Sequence, residues 1–299
     1  MEKKYNVGKI FPPGHFYSPI PDLDEISKRE EKIFRRKQDE EVLGFDLNVS
    51  VQLEHLRVIE KFVKDFDFPT NPVKHRFYLN NGFFEGLDAF AYFSFILHYK
   101  PKKVIEIGCG FSSLLLMEVN KKFFNNNIDI KLIEPYPSKD LVEGLRVFKN
   151  AELLQVPVQD LDFSIFEELN ENDILFIDST HVAKVGSDVN YIFFEILPRL
   201  NYGVLIHFHD IFLPDEYPKK WVFEENRAWN EMYILRAFLM YNNCFKTLFS
   251  SYYVSTRFPE MVIRLFNKPL GGGSYWLKKI CGSSAERTKI KISDCSMAD

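Results

Sequence analysis

Residues 102–113, KKVIEIGCGFSS, decide the fold of this chain. The first half of this stretch is apolar and rich in β-branched residues, which is typical of a central parallel strand covered on both faces. Gly108 and Gly110 then allow a sharp turn, and residues 114–122 continue as a helix. Because the first turn of a helix offers unpaired N–H groups and a positive dipole, the sequence predicts a polar or anionic ligand at this turn.

The composition of the 299-residue chain is that of an ordinary globular protein. A hydrophobic content of 46% is enough for one substantial α/β core with an added subdomain. The net charge is −4 and the basic residues are scattered, which argues against a nucleic-acid-binding face and an anionic membrane surface. The longest apolar stretch, residues 89–97, is too short to span a bilayer, and the N-terminus lacks a secretory apolar region. We predict a soluble protein that contacts neither nucleic acid nor membrane.

The cysteines bear on the redox state of the chain. Cys109, Cys244, Cys281 and Cys295 show no C-x-x-C spacing, and Cys109 lies inside the glycine turn. This pattern favours a reduced, cytoplasmic protein.

The first 85 residues are predicted to form an arm and a helical cap. Residues 1–20 are predicted to form an ordered loop or arm, because the stretch FPPGHFYSPIP combines proline and glycine with aromatic side chains. A charged segment at residues 24–37 predicts a solvated helix. Residues 50–66 carry apolar side chains every three or four positions, which predicts a helix with one buried face.

From residue 86 onwards the chain alternates between helices and strands. Asp88 is predicted to cap a helix that ends before Pro101, and a longer helix is predicted at residues 187–197. Such alternation predicts a doubly wound, mostly parallel sheet in a domain over residues 86–270, followed by a weakly specified tail over residues 271–299. After the first strand, further parallel strands are predicted at residues 128–133, 151–156, 173–177 and 203–206, and an antiparallel pair at residues 245–254 and 261–266.

Acidic residues around the glycine turn narrow the class of ligand. Glu106 precedes Gly108-x-Gly110, and Glu134 follows the next strand. Ser113 stands where a dinucleotide-binding turn has its third glycine. This E-x-G-x-G pattern with a strand-end acid resembles motifs I and II of the class I S-adenosylmethionine-dependent methyltransferases, and residues 80–266 are similar to the catechol O-methyltransferase-like and small bacterial members. The resemblance implies a Rossmann-like, seven-stranded sheet.

The resemblance also implies S-adenosylmethionine as the cofactor. Its methionine part would lie against the glycine turn, its carboxylate at the start of the helix, its ribose hydroxyls on a bidentate acid and its adenine beside the third strand. The residues implied are Glu106, Gly108, Gly110, Ser112, Ser113, Glu134, Gln159, Asp160 and Asp178.

Asp178, His209 and Asp210 match the positions where catechol-type enzymes bind magnesium. A histidine among these ligands casts doubt on magnesium, because imidazole suits zinc, iron or nickel better. The alternative is that these groups bind substrate and shuttle protons without a metal ion. His181 falls where catechol-type enzymes carry a catalytic lysine, and is a candidate general base. Asp178, His181, His209 and Asp210 are thus the catalytic candidates.

The methyl acceptor is predicted to be a small hydroxylated or sugar-containing metabolite. His15 and Tyr17 of the arm, with Trp221 and Trp229 after the fifth strand, are candidates for contacting it, because loops at the ligand edge of a sheet usually carry specificity. The alternative for the arm is packing over a hydrophobic surface. Alternatives for the whole protein are a non-catalytic cofactor-binding protein of the same fold, a nucleotide-dependent oxidoreductase, and a metallohydrolase suggested by His207-x-His209-Asp210.

Overall fold

The computed structural model describes residues 11–282, which form an α/β fold around one sheet. The sheet has seven strands in the order β3-β2-β1-β4-β5-β7-β6. The four pairings among β1 to β5 are parallel and the two pairings made by β7 are antiparallel, so the doubly wound, mostly parallel sheet is confirmed. The strands are β1 (Lys103–Ile107), β2 (Asp129–Ile133), β3 (Glu152–Leu154), β4 (Ile174–Ile177), β5 (Leu205–Phe208), β6 (Phe245–Ser250) and β7 (Tyr275–Lys279).

Helices cover both faces of this sheet. The α-helices are α1 (Leu23–Ser27), α2 (Glu30–Ile33), α3 (Val49–Phe62), α4 (Gly86–Tyr99), α5 (Phe111–Phe124), α6 (Lys139–Phe148), α7 (Ser164–Glu167), α8 (Asp188–Tyr191), α9 (Leu197–Arg199), α10 (Lys219–Phe223), α11 (Glu231–Leu239), α12 (Ser251–Arg257) and α13 (Pro259–Phe266). Short 3₁₀ turns lie at Asp39–Glu41, Val63–Asp65 and Val158–Asp160, and a π-helical turn lies at Ile192–Ile196.

The core consists of two apolar layers, one on each face of the sheet. Successive residues of β4 alternate between them: Ile174 and Phe176 pack with α3, α4, α5 and α6, whereas Leu175 and Ile177 pack with α7, α8, α9 and α11. This follows from the two-residue period of a strand. The central strands are therefore largely apolar on both faces; Glu106 of β1 and His207 of β5 are buried polar exceptions.

The N-terminal segment contributes to the first of these layers. The buried face of α3, with Leu56 and Ile59, packs against α4 and β6. The single helix predicted at residues 24–37 is wrong, because this segment forms the two short helices α1 and α2. Residues 1–10 of the predicted arm lie outside the described residues.

The predicted C-terminal organisation is wrong. Residues 261–266 belong to α13 and not to a strand, and the partner of β6 is β7, which lies in the predicted tail. Pro259 at the start of α13 favours a helix there, and Val262 is buried in the core. Tyr275, Trp276 and Leu277 of β7 are fully buried between β5 and β6, so this strand completes the sheet. Residues 283–299 of the predicted tail lie outside the described residues.

The predicted fifth strand begins two residues too early, because residues 203–204 precede β5. Gly203 belongs to the turn that enters β5. It has a positive φ of 85°, and its N–H donates to the carbonyl oxygen of Lys279.

The expectation of a fully reduced chain is also wrong. Cys244 and Cys281 form a disulfide, which joins the residue before β6 to a residue just after β7. The two strands are neighbours and antiparallel, so their opposite chain ends meet at the same edge of the sheet. Cys109 is a free thiol, and Cys295 lies outside the described residues.

Replacing both Cys244 and Cys281 with serine is expected to lower the free energy of unfolding by about 2–4 kcal/mol. The disulfide links residues 37 positions apart and thereby restricts the unfolded chain. Denaturant unfolding of the two chains, and of the wild type with and without reductant, measures the effect. Alkylation of both thiols in the denatured, unreduced chain would contradict the disulfide.

Within residues 11–282, none of the helices combines the length and the apolar character required to cross a membrane.

Candidate active site

A cavity of about 420 Å³ opens at the carboxyl ends of β1, β2 and β4. Ligands of open α/β sheets bind at this edge, and polar residues follow each of the three strands here. Two candidates for cofactor binding with acidic side chains, Glu134 and Asp178, lie in its wall. The lining residues are Ile107, Gly108, Ile133–Tyr136, Pro157–Gln159, Asp178–Thr180, Lys184 and Gly186–Asp188.

Gly108 fixes the shape of the cavity at the end of β1. Its φ is 79°, in the left-handed region, and a Cβ at this position would lie 1.7 Å from the carbonyl oxygen of Asp178. Only glycine therefore permits the turn after β1 to approach the loop after β4 this closely. Gly110 has an extended φ of −166°, and a Cβ there would meet nothing within 4 Å.

Glu134 is held at the cavity wall by backbone donors. The N–H of Cys109 donates to its Oε2 at 3.2 Å, and the N–H of Tyr136 donates to its Oε1 at 2.8 Å. Each carboxylate oxygen can accept more than one hydrogen bond, so both remain able to accept from a ligand. Both oxygens of the carboxylate are thus fixed at the cavity wall by the backbone.

Glu106, Ser112 and Ser113 are buried beneath the glycine turn and do not line the cavity. Glu106 accepts hydrogen bonds from the Tyr92 hydroxyl at 2.7 Å and from the Ser113 hydroxyl, whose oxygen accepts in turn from the N–H of Gly110 at 3.2 Å. Burial raises the pKa of Glu106 to about 7, although both hydroxyls favour its ionised form. These groups brace the turn from below. At the opposite wall, Gln159 lines the cavity, whereas Asp160 is exposed and does not.

Two histidines and two aspartates converge beside this cavity. The Nε2 atom of His181 lies 3.3 Å from Asp178 Oδ1 and 3.7 Å from Asp210 Oδ2. The Nδ1 atom of His209 lies 3.5 Å from the other oxygen of each aspartate. The four catalytic candidates are therefore brought together, and Asp178, His181 and Asp210 have the mutual spacing of metal ligands. We call these four residues the inner cluster.

Two further carboxylates orient the imidazoles from outside. Glu231 Oε2 lies 2.9 Å from His181 Nδ1, and Asp88 Oδ2 lies 3.3 Å from His209 Nε2. Asp88 also accepts from the N–H groups of Gly273 at 2.8 Å and Ser274 at 2.9 Å. The prediction that Asp88 caps α4 is therefore wrong. Glu85 precedes the helix, and Asp88 points from the first turn of the helix into the site.

Sequence reasoning missed the role of both outer carboxylates. Glu231 lies 50 positions after His181, and its only sequence signal is its place at the start of α11 directly after the Trp229 segment. Gly272 admits Asp88 to the site, since a Cβ there would lie 2.2 Å from the Asp88 carboxylate.

The backbone is strained at two residues of the inner cluster. His181 and Asp210 both have φ of 59°, in the left-handed region that non-glycine residues seldom adopt. Two backbone donors, the N–H groups of Asn230 and Glu231, hold the carbonyl oxygen of His181. Strain of this kind typically accompanies functional sites, where the surrounding structure stabilises it.

The carboxylates around the inner cluster raise the pKa values of its two histidines. Burial disfavours the charged form of His181, yet hydrogen bonds to Asp178 and Glu231 raise its pKa to about 10. For His209 burial acts in the same direction, and the charges of Asp178 and Asp210 raise its pKa well above the usual value. His181 is then an imidazolium at neutral pH and has no free lone pair for a proton, which is unfavourable to its predicted role as general base.

Aromatic side chains cover the inner cluster. The rings of Trp229 and His181 have centroids 4.2 Å apart, and Trp221 contacts Trp229 at 5.3 Å. The Arg227 guanidinium lies over both indoles, 4.0 Å from Trp221 and 4.5 Å from Trp229. Trp229 therefore lies against the inner cluster and Trp221 lies against Trp229, while contact of either residue with the acceptor remains a prediction.

The described part of the arm lies beside residues 222–228, the segment between Trp221 and Trp229. A second cavity, of about 310 Å³, is lined by residues 13–14 and 20–24 together with Val222 and residues 226–228. His15 and Tyr17 are not among the residues that line it, and Tyr17 is 67% exposed. Contact of either residue with substrate remains a prediction.

The chain resembles known methyltransferases. Residues 105–211 match the family model described as a methyltransferase domain. A protein of Archaeoglobus fulgidus described as an uncharacterized protein is 59% identical over 171 residues, which cover 56% of this chain and 77% of that protein.

Among solved structures, the SAH-bound methyltransferase PaMTH1 of Podospora anserina is 17% identical with a TM-score of 0.42, over 87% of this chain and 95% of that one. The cyclase SpnF is 14% identical with a TM-score of 0.37, over 81% and 98% of the two chains.

The matched region runs from within β1 to just after β5, and it therefore contains the glycine turn, Glu134 and the inner cluster. Residues 105–211 of the chain therefore form a methyltransferase-like domain.

Proposed function

We propose that the protein transfers the methyl group of S-adenosylmethionine to a hydroxyl oxygen of a small hydroxylated or sugar-containing metabolite. The observation that carries this proposal is the position of Asp178, which lines the 420 Å³ cavity and also belongs to the inner cluster. The cavity volume suits a small-molecule cofactor, and the cluster would then face its reacting end.

The cofactor contacts follow from the cavity wall. Glu134 would accept hydrogen bonds from the two ribose hydroxyls, and Pro157–Gln159 would lie beside the adenine. Gly108 would allow the backbone to approach the methionine part closely. Ser113 is engaged with Glu106, so its proposed role is to support the turn and not to bind the cofactor carboxylate directly.

The reaction is a displacement in which the acceptor oxygen forms a bond to the methyl carbon as the sulfonium–carbon bond breaks. The acceptor must lose its proton, and most of the catalysis comes from holding oxygen, carbon and sulfur in line. Trp221 and Trp229 would exclude water and pack on the acceptor.

The charge of the site supports a neutral acceptor. Asp88, Asp178, Asp210 and Glu231 outnumber the two imidazoles of His181 and His209, so the site repels carboxylate and phosphate groups. A hydroxylated metabolite meets no such repulsion. The magnesium ion of catechol-type enzymes does not fit this site, because two of the four inner groups are imidazoles and magnesium prefers oxygen ligands.

Glu134→Ala is expected to weaken binding of S-adenosylhomocysteine more than tenfold. The substitution removes a bidentate contact to two hydroxyls, which contributes on the order of 1.5–3 kcal/mol. Titration calorimetry of the two chains measures the change. Asp160→Asn is the matched control, because this exposed acid does not line the cavity and its loss should leave the affinity unchanged.

Equal affinity of wild type and Glu134→Ala would contradict the ribose assignment. Tighter binding of NAD(H) than of S-adenosylhomocysteine would support the oxidoreductase alternative. A screen of hydroxylated metabolites, amines and carboxylates with labelled S-adenosylmethionine tests the transfer itself, and labelling of amines or carboxylates alone would overturn transfer to a hydroxyl oxygen.

A further inference from the structure

We propose that Asn230 is a positioning residue for methyl transfer, which joins the aromatic cover of the site, residues 221–229, to the loop that carries His181. His181 then reaches its place in the inner cluster only while the cover is closed. The part of Asn230 in catalysis rests on the function proposed above. Its hold on the loop does not, and it can be measured without turnover.

The Asn230 side chain pairs with the backbone of the loop after His181. Its amide oxygen accepts from the N–H of Ala183 at 2.6 Å, and its amide nitrogen donates to the carbonyl oxygen of the same residue at 3.3 Å. The backbone N–H of Asn230 donates to the carbonyl oxygen of His181 at 3.0 Å. One residue thus holds the loop at both His181 and Ala183.

The position of Asn230 in the chain makes this pairing unusual. Asn230 directly precedes α11, where an asparagine side chain ordinarily accepts from the first N–H groups of its own helix. Its oxygen accepts from Ala183 instead, so the side chain serves the loop and does not cap Glu231–Leu239. The hydrogen bond joins residues 47 positions apart and replaces a local one, which indicates that the loop requires this support.

The loop requires support because the backbone of His181 is strained. Its φ of 59° lies in the left-handed region, which a non-glycine residue keeps only where neighbouring groups hold it. The N–H groups of Asn230 and Glu231, at 3.0 and 3.1 Å, both donate to the carbonyl oxygen of His181. Glu231 Oε2 also lies 2.9 Å from Nδ1, so Nε2 faces Asp178 and Asp210. The same short segment therefore fixes both the backbone and the imidazole.

This segment continues into the aromatic cover. The Trp229 ring packs on the His181 ring with centroids 4.2 Å apart, and Trp221 packs on Trp229 at 5.3 Å. The N–H of Arg227 donates to the Trp221 carbonyl oxygen at 2.9 Å, and its guanidinium lies over both indoles. Residues 221–231 are therefore one connected unit, and displacing the cover would withdraw the hydrogen bonds that hold His181. Closure of a lid can complete a catalytic site in this way.

The first test is hydrogen exchange at the Ala183 amide, which needs no acceptor. In Asn230→Ala this N–H loses its hydrogen-bond acceptor, so we expect its exchange to be at least about tenfold faster than in the wild type. Trp229→Ala should also accelerate this exchange, because it removes the ring that packs on His181. Circular dichroism verifies that each variant is folded.

Asn190→Ala is the matched control for these variants. The Asn190 side-chain amide also donates to this loop, but to the carbonyl oxygen of Lys184, at 2.8 Å, and not to His181 or Ala183. We therefore expect exchange at Ala183 and the rate of methyl transfer to stay close to the wild-type values.

The second test is steady-state kinetics with the acceptor found by screening. Asn230→Ala should lower kcat about 10- to 100-fold through misplacement of His181, while affinity for S-adenosylhomocysteine stays within about threefold. Asn230→Asp should recover most of the lost rate, because its carboxylate can still accept from the Ala183 N–H.

Unchanged exchange at Ala183 in Asn230→Ala would overturn the hold on the loop, and unchanged exchange in Trp229→Ala would overturn its link to the cover. Equal loss of kcat in Asn230→Ala and Asn190→Ala would overturn the positioning role, as would equal rates in Asn230→Ala and Asn230→Asp. If exchange accelerates in Asn230→Ala but the wild type methylates no acceptor, the methyl-transfer proposal fails while the hold of Asn230 on the loop stands.

Discussion

Gly108→Ala is expected to destabilise the chain by about 4 kcal/mol or more, and to abolish measurable binding of S-adenosylhomocysteine. The new Cβ would lie 1.7 Å from the Asp178 carbonyl oxygen and 2.5 Å from its carbonyl carbon, at a backbone φ of 79°. The loops after β1 and β4 would have to separate, which distorts the cavity between them. Thermal unfolding, where this loss corresponds to a drop of roughly 5–10 °C, and calorimetry measure the two effects.

Gly110→Ala provides the matched comparison within the same turn. Its φ of −166° lies outside the left-handed region and its Cβ would meet nothing within 4 Å, so we expect stability within about 0.5 kcal/mol of the wild type. A loss of cofactor affinity in this variant would then indicate that the bound cofactor lies directly against residue 110. If Gly108→Ala and Gly110→Ala proved equally stable, the steric account of the turn would be wrong.

His181→Asn is expected to lower kcat for methyl transfer by about 10²- to 10⁴-fold, while affinity for S-adenosylhomocysteine changes little. His181 contacts Asp178, Asp210, Glu231 and Trp229 but is not among the residues that line the cofactor cavity. Steady-state kinetics with the acceptor found by screening measure the loss. A kcat within threefold of the wild type would remove His181 from the catalytic machinery.

Chelation separates the two roles that His181 could have in this result. If the imidazole binds an ion, a chelator should abolish turnover in the wild type, and Zn²⁺, Co²⁺ or Mn²⁺ should restore it. If the imidazole is the general base, turnover should survive the chelator. The contact of His181 Nδ1 with Glu231 leaves Nε2 directed at Asp178 and Asp210, which is the arrangement expected for the first outcome.

The parts of the site that lie at the carboxyl ends of the parallel strands could be predicted from the sequence. The strand, the glycine turn and the strand-end acids Glu134 and Asp178 follow from local pattern, because parallel strands bring their carboxyl ends to one edge. The meeting of Asp178, His181, His209 and Asp210 follows from the same rule applied to β4 and β5.

The parts that depend on distant pairing could not be predicted. Asp88 has the position of an ordinary first-turn acid in α4, and only its contact with residues 273–274 shows its role. The place of β7 between β5 and β6 is set by packing and not by local propensity. The short apolar run in α13 fits a strand as well as a helix, so the sequence predicts the partner strand at residues 261–266 instead. A local sequence pattern does not indicate which distant residue forms a given hydrogen bond.

The glycine segment before β7 has a consequence for biosynthesis. The N–H groups of Gly273 and Ser274 that hold Asp88 lie 185 and 186 positions after it in the chain. A nascent polypeptide on the ribosome therefore carries β1 to β5, with most of the histidines and aspartates of the site, well before Asp88 acquires these donors. Ribosome-bound intermediates that end before residue 273 lack both donors and would present an incompletely supported Asp88–His209 pair, so this support is completed only late in translation.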